Sequence, residues 1–154
     1  DRVLLDGIIY TARDAGHKRM YDAVLSGGEL PIELNGQAIY YVGACFDKNG
    51  KPISAGPTTA MRMDKYAPVL YDNGVGASIG KGDRSQAVYD AIIKNKAVYL
   101  CAIGGAGATY ADCIKGSRLI AYSELGTEAM YRFEVKDFPL IVAIDIDGNT
   151  IFNR

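Results

Sequence analysis

A chain of 154 residues is long enough to bury a real core as one domain, and 49% hydrophobic with 23% charged residues is ordinary for a globular protein. A net charge of −1 excludes a global basic field for nucleic acid, so any anion binding must come from local clusters. No apolar run approaches membrane-spanning length and no signal peptide opens the chain.

Asp1 already lies inside an apparent strand, which leaves room upstream for further sequence, a targeting segment included. "VLLDGIIYTA" is predicted as a strand or short strand pair punctuated by Gly7. "RDAGHKRMYDAVLSGG" has helical spacing and a Gly-Gly stop. "PIELNGQ" is a turn region with a tight turn at Asn35-Gly36, and "AIYYVGA" is a buried strand, β-branched and aromatic. "DKNGKPIS" reads as a polar loop. "SAGPTTAMRMDKY", residues 54–66, then leads into a helix predicted to run through Tyr71.

"GASIG" is a short strand, followed by "KGDRS" and the helix "SQAVYDAIIKN". "AVYLCAI" is the next strand, leading to the loop "GGAGA". From Ser117 the pattern turns strand-rich, with "RLIAYSEL", "AMYRFEV", "PLIVAIDI" and "TIF". The last two flank Asp147-Gly148-Asn149, a hairpin signal. Strands alternating with helices predict a parallel sheet, and the strand-rich tail predicts a second, antiparallel layer. Residues 1–154 therefore read as a single α/β domain with an added β-layer.

Cys45, Cys101 and Cys113 are odd in number and lack framework spacing, which argues against a disulfide scaffold and for a reducing compartment. There is no C-x-x-C, and Cys101 lies in an apolar strand pattern, so the cysteines read as buried or incidental rather than as iron–sulfur ligands.

In parallel α/β sheets, ligands bind beyond the carboxyl ends of the strands, where loops feed helix N-termini. Three predicted junctions of this kind carry unusual polar groups: "YTARDAGHKR" (Arg13, Asp14, His17), "AGPTTAMR" (Thr58, Thr59, Arg62) and "IGKGDRS" (Lys81, Arg84). If the strands are neighbours, Arg13, Arg62 and Lys81 converge on one cleft. A cap needs only one hydroxyl, whereas this sequence supplies two. On a helix Arg62 shares a face with Thr58, and two hydroxyls, helix-end N–H groups and a guanidinium make a seat for a carboxylate or phosphate.

Each feature also has a blander reading. Thr58 and Thr59 can be N-caps worth about 1 kcal/mol. Arg13 can be a surface helix residue, Asp14 the i,i+4 partner of Lys18, and His17 a surface or hydrogen-bonded side chain. Arg84 can simply start the next helix. Lys81 is harder to dismiss, because glycines on both sides let a backbone approach something closely. "AIGGAGATY", with Glu124 roughly twenty residues on, approaches a dinucleotide fingerprint, but Tyr110 occupies the third glycine position. "GKGDRS" lacks the P-loop pattern, so nucleotide binding is disfavoured. The residues by themselves describe a cationic, hydroxyl-lined cleft for a small dicarboxylate or phosphate. With neither an evident metal site nor a nucleophile–base–acid triad, the chain looks like half of an active site.

In order, "YTARDAGHKR", "IYYVG", "SAGPTTAMRMDKY", "IGKGDRS", "ELGTEAMYRFEVKDFP" and "DIDGN" resemble the β subunit of class I fumarate hydratases, the iron–sulfur hydro-lyases, over nearly the whole chain. The same unit forms the C-terminal domain of single-chain versions. The resemblance implies an α/β swivelling β/β/α three-layer domain, with a mostly parallel sheet and a second, largely antiparallel layer. It implies reversible hydration of fumarate to (S)-malate in the cytoplasm. The 4Fe–4S cluster would be bound by three cysteines of a partner α subunit or N-terminal domain, with no metal ligand in this chain. An α2β2 or β–β assembly is expected, with no nucleic-acid or membrane partner.

Residue by residue, the resemblance makes Thr58 the proposed base, Arg13, Arg62 and Lys81 carboxylate binders, and Thr59 a second hydroxyl contact. An alcohol is a weak base near neutral pH, so Thr58 requires a helix N-terminus and nearby cations that favour its alkoxide. Gly16 stands for a commoner alanine, which should weaken its helix by about 1 kcal/mol. "VGACF" stands for the usual Val-Gly-Pro-Ala-Pro, and Met61 for a frequent glycine. The L-tartrate dehydratase β subunit shares Gly-Pro-Thr-Thr and Met61, but usually carries cysteine where Ala12 stands and lacks Arg-Ser after Lys-Gly. Fumarase is the favoured reading, and a non-catalytic dicarboxylate-binding module is the alternative from another class.

Overall fold

The computed structural model describes residues 2–102 and 107–152. In chain order the strands are β1 (Arg2–Thr11), β2 (Ala38–Tyr40), β3 (Cys45–Phe46), β4 (Pro52–Ser54), β5 (Ala77–Gly80), β6 (Val98–Cys101), β7 (Ile114–Ala121) and β8 (Met130–Ile144). The α-helices are α1 (Asp14–Ser26), α2 (Ala67–Asp72), α3 (Gln86–Asn95) and α4 (Gly107–Asp112), with 3₁₀ stretches at Ala60–Met63 and Ser123–Glu128.

The main sheet has the order β1-β2-β5-β6-β8-β7. Strands β1, β2, β5 and β6 are parallel neighbours, as alternating strands and helices predict. The antiparallel β8 borders β6 and β7 and also pairs with β1 from Arg2↔Ile141 to Tyr10↔Arg132, so the hydrogen bonding closes into a ring. The pleat divides the apolar residues between two cores. Ile39, Tyr41, Tyr99 and Cys101 pack with Met20 of α1, Leu70 and Tyr71 of α2, and Val88 and Ile92 of α3. Tyr40, Val42, Leu100 and Ala102 turn the other way, toward Tyr110 of α4 and Phe133, Val135, Phe138 and Leu140 of β8.

Gly7 marks a register shift within one strand rather than a break between two. Helix α1 ends at Gly27, whose φ of 74° lets the next N–H, that of Gly28, reach the Ala23 carbonyl at 2.8 Å. The Asn35-Gly36 turn closes through Gln37 N–H to Leu34 O at 3.1 Å, and the 147–149 turn through the isolated antiparallel bridge Ile144↔Thr150.

Three expectations are corrected. "DKNGKPIS" contributes to a hairpin, β3–β4, because Asp47 accepts the Asn49 and Lys51 N–H groups and folds the turn. The segment after Thr59 is a 3₁₀ stretch, a turn and only then α2, which begins at Ala67 with Pro68 in its first turn. "AMYRFEV" and "PLIVAIDI" form one continuous strand, β8, despite Pro139 and the left-handed Asp137. Of the "GGAGA" loop, Gly104, Gly105 and Ala106 lie outside the described residues.

Candidate active site

Because β1, β2 and β5 are parallel neighbours, their carboxyl ends open on one edge of the sheet. The three junctions singled out in the sequence therefore lie at the ends of strands that are neighbours in the sheet. Arg13 leaves β1 with extended backbone (φ −105°, ψ −157°) and stands at the N-cap position of α1. Its carbonyl accepts both the backbone N–H of His17 and the ring Nδ1–H, each at 2.9 Å, which fixes the tautomer. Burial lowers His17 to about 4 from its usual 6.5, so the ring is neutral near pH 7. His17 is a buried, hydrogen-bonded residue rather than a surface one.

The Arg13 side chain runs across Gly43, just beyond β2. A Cβ added to Gly43 would lie 2.7 Å from Arg13 Nη1 and 2.9 Å from its Cδ. Arg13 Nε is buried with no hydrogen-bond partner.

The threonine segment is stitched between the ends of β2 and β5. Thr58 N–H donates to Tyr41 O at 2.7 Å, Lys81 N–H to Thr58 O at 3.3 Å, and Ala60 N–H to Lys81 O at 2.9 Å. Thr59 and Lys81 form a parallel bridge and share one of its faces, both exposed. Thr58 is half-buried. Thr59 stands at the N-cap of the 3₁₀ stretch without any side-chain capping bond, so the capping reading of that hydroxyl fails. The expected long helix with open terminal N–H groups fails too, since the Thr58 N–H is taken by Tyr41 O and the Ala60 N–H by Lys81 O.

Arg62 is tied back to the first junction. Its Nε donates to Asp14 Oδ2 at 3.2 Å and its Nη2 to Asp14 Oδ1 at 2.8 Å. Asp14 is thus the partner of Arg62, while Lys18 pairs with Asp22 at 2.7 Å. The bidentate grip uses one edge of the guanidinium and leaves Nη1 for a ligand. Among the described residues, the side chains of Arg13, Thr58, Thr59 and Lys81 have neither a hydrogen bond nor an ion pair within the chain. The half-buried Arg13 and Thr58 and the exposed Thr59 and Lys81 lie beyond the ends of three adjacent strands, a placement that suits a small anion with several acceptor oxygens.

Cys45 is exposed on β3, Cys101 is buried on β6, and Cys113 is half-buried between α4 and β7. Burial raises the Cys101 and Cys113 thiols above the usual range, which works against thiolate ligation. Among the described residues, no three His, Cys, Asp or Glu side chains gather to hold a metal ion. These residues do not fit an iron–sulfur cluster. Nor, among them, is any helix long and apolar enough to cross a membrane.

Sequence reasoning missed Gly43, the Asp14–Arg62 pair and the burial of Arg84. The glycine in "IYYVG" was a visible signal, but an ion pair spanning 48 positions has no local signature.

The family described as Fumarase C-terminus matches residues 1–154. "Fumarate hydratase class I, anaerobic" of Escherichia coli (strain K12) is 41% identical over 99% of this chain and 28% of its own length. "Fumarate hydratase 2" of Leishmania major is 38% identical over 99% of the chain and 28% of its own length. "Putative L(+)-tartrate dehydratase subunit beta" of Methanocaldococcus jannaschii is 36% identical over 100% of the chain and 83% of its own length. The chain therefore spans under a third of these fumarate hydratases and most of the tartrate dehydratase subunit.

Proposed function

The chain belongs to the Fumarase C-terminus family, and from that premise we propose that it is the substrate-holding part of a class I fumarate hydratase, which interconverts fumarate and (S)-malate. The observation that carries the reading is the set of unpartnered Arg13, Thr58, Thr59 and Lys81 side chains around the ends of β1, β2 and β5. The Nε of Arg13 is enclosed without an acceptor, which is unfavourable by itself and points to a role for the cation that the fold holds at the end of β1.

In this reading Arg13, Arg62 and Lys81 hold the two carboxylates, and Thr59 adds a hydroxyl contact. Thr58 holds the proton that is delivered to one alkene carbon on hydration and taken from it on dehydration. Negative charge then develops on the adjacent carboxylate, where fixed cations act most strongly once water is excluded. The iron–sulfur cluster, which supplies Lewis-acid chemistry toward the hydroxyl, is assigned to a partner α subunit or N-terminal domain, in keeping with the poor fit of this chain's cysteines. The two cores on opposite faces of the parallel strands favour the swivelling β/β/α arrangement. An α2β2 or β–β assembly in the cytoplasm completes the proposal.

A second reading, the β subunit of L-tartrate dehydratase, is favoured by one observation: the chain is 36% identical to the Methanocaldococcus jannaschii relative of that name. Anaerobic assays with fumarate, malate and tartrate, run on this chain with and without its cluster-bearing partner, separate the two. Fumarate turnover only in the mixture supports the proposal, whereas tartrate turnover alone transfers it to the sister enzyme. Thr58→Ala should abolish turnover while sparing assembly and cluster content. If most activity survives, the base lies elsewhere.

A further inference from the structure

Beside these segments lies a third arginine, which "KGDRS" presents as a helix-starting residue. Arg84 is instead enclosed, with 1% of its surface exposed. Its Nε donates to Asp64 Oδ1 at 2.7 Å, its Nη1 to Ser78 Oγ at 3.1 Å, and its Nη2 to the Tyr41 hydroxyl at 3.1 Å. Its guanidinium also lies over the Tyr99 ring, 4.7 Å from the centroid, and near the Tyr41 ring at 5.1 Å. The other oxygen of Asp64 accepts the Ser85 N–H at 2.5 Å.

What these partners carry gives the cluster its meaning. Asp64 directly follows the 3₁₀ stretch that holds Arg62. Tyr41 is the residue whose carbonyl takes the Thr58 N–H. Ser78 is on β5, three residues before Lys81, and the Gly82 carbonyl accepts the Tyr99 hydroxyl at 2.7 Å. One planar fork therefore fastens the segments bearing Thr58, Arg62 and Lys81 to a common point, and its donors have fixed relative directions.

We propose that Arg84, neutralised by Asp64, is the positioning residue of this site: it sets where the Thr58, Arg62 and Lys81 segments stand relative to one another. The inference rests on the dicarboxylate-site reading above. A buried ion pair of this kind contributes little net stability compared with well-packed apolar side chains, so its geometric role is the more informative one. Lysine keeps the charge but is a point donor on a flexible stem. It cannot engage Asp64, Ser78 and Tyr41 in one plane.

The test is a double-mutant cycle in the assembled, cluster-loaded enzyme, at a temperature where circular dichroism and assembly match the wild type. Arg84→Lys is combined with Lys81→Ala, and kcat/KM for fumarate is measured. The Asp64→Asn variant is carried in parallel, because it keeps the volume and one acceptor should Arg84→Lys fail to fold. Arg84→Lys should lower kcat/KM about 100-fold, as expected for misplaced binding groups. In the Lys81→Ala background the same change should cost about tenfold, because the Lys81 share of the effect is gone while the Thr58 and Arg62 segments are still displaced. Full additivity, or full activity in Arg84→Lys, overturns the inference while leaving the fumarase reading intact. A wild-type assembly that turns over neither fumarate nor tartrate overturns both.

Discussion

At the scale of single residues, the site is built from side chains placed by unobtrusive neighbours. Gly43 is the clearest case. Its missing Cβ makes room for the Arg13 guanidinium, and the obstacle a methyl would meet is mostly the movable end of that side chain. Gly43→Ala should therefore fold but displace Arg13, raising KM for the dicarboxylate about tenfold or more. Paired urea-melting and steady-state measurements check it, and an unchanged KM would remove Arg13 from the site. Arg62→Ala should lose about 2–5 kcal/mol of transition-state stabilisation, read from kcat/KM. An unaltered value would mean that Arg62 serves only its pair with Asp14. The sequence made Arg13, Arg62 and Lys81 visible because cations and hydroxyls at strand-to-helix junctions are locally conspicuous. Asp64 was opaque, and the enclosure of Arg84 and the close approach of Arg13 to Gly43 were too, since they depend on partners brought near only by folding. Gly16 is a smaller instance: an alanine Cβ there would lie 3.3 Å from Ala12 Cβ, so a tight approach accompanies the weaker helix propensity.

At the scale of elements, periodicity was legible wherever an element is long or buried on one face. The extents of β1, α1 and α3 were within reach of it, because apolar spacing and glycine stops reflect forces acting over neighbouring residues. It failed between Thr58 and Tyr71. There Met63, Ala67 and Leu70 keep helical spacing, but the Thr59–Lys81 bridge holds the start of the segment in strand-like backbone. Helix α2 is six residues long, too short to persist alone, and depends on burying Ala67, Leu70 and Tyr71. The Tyr71 hydroxyl adds a bond to the Val98 carbonyl at 3.0 Å and another with Ser78 Oγ, joining α2 to β5 and β6. Tyr71→Phe should lower unfolding free energy by about 1–2 kcal/mol. A shifted urea midpoint with an unchanged slope is the expected signature, and an unshifted midpoint would deny the hydroxyl that role.

At the scale of the whole molecule, pH stability follows from His17. Burial disfavours its charged form, so its pKa falls from 6.5 to about 4 on folding. Between those values the unfolded chain binds a proton that the folded chain refuses. The His17 contribution is thus intact above pH 6.5 and declines as pH falls, reaching a loss of about 3 kcal/mol near pH 4. Urea midpoints from pH 7.5 down to 4.5 should fall accordingly, and His17→Asn should show a shallower decline. An equal slope in both proteins would assign the acid sensitivity to other groups. The parallel arrangement was legible in the sequence, whereas ring closure through β8 was not, because pairing across some 130 positions leaves no trace in local patterning.

That closure also governs the order of events during folding. The partner of β1 is β8, so Arg2 must wait for Ile141. On the ribosome the parallel strands can collapse first, but the core that β8 covers stays open until nearly the entire domain has emerged. Such long-range pairing is slow and exposes apolar sheet surface meanwhile. Chaperone dependence and aggregation during synthesis should consequently be set by how quickly residues 130–144 are delivered, rather than by the stability of the finished sheet.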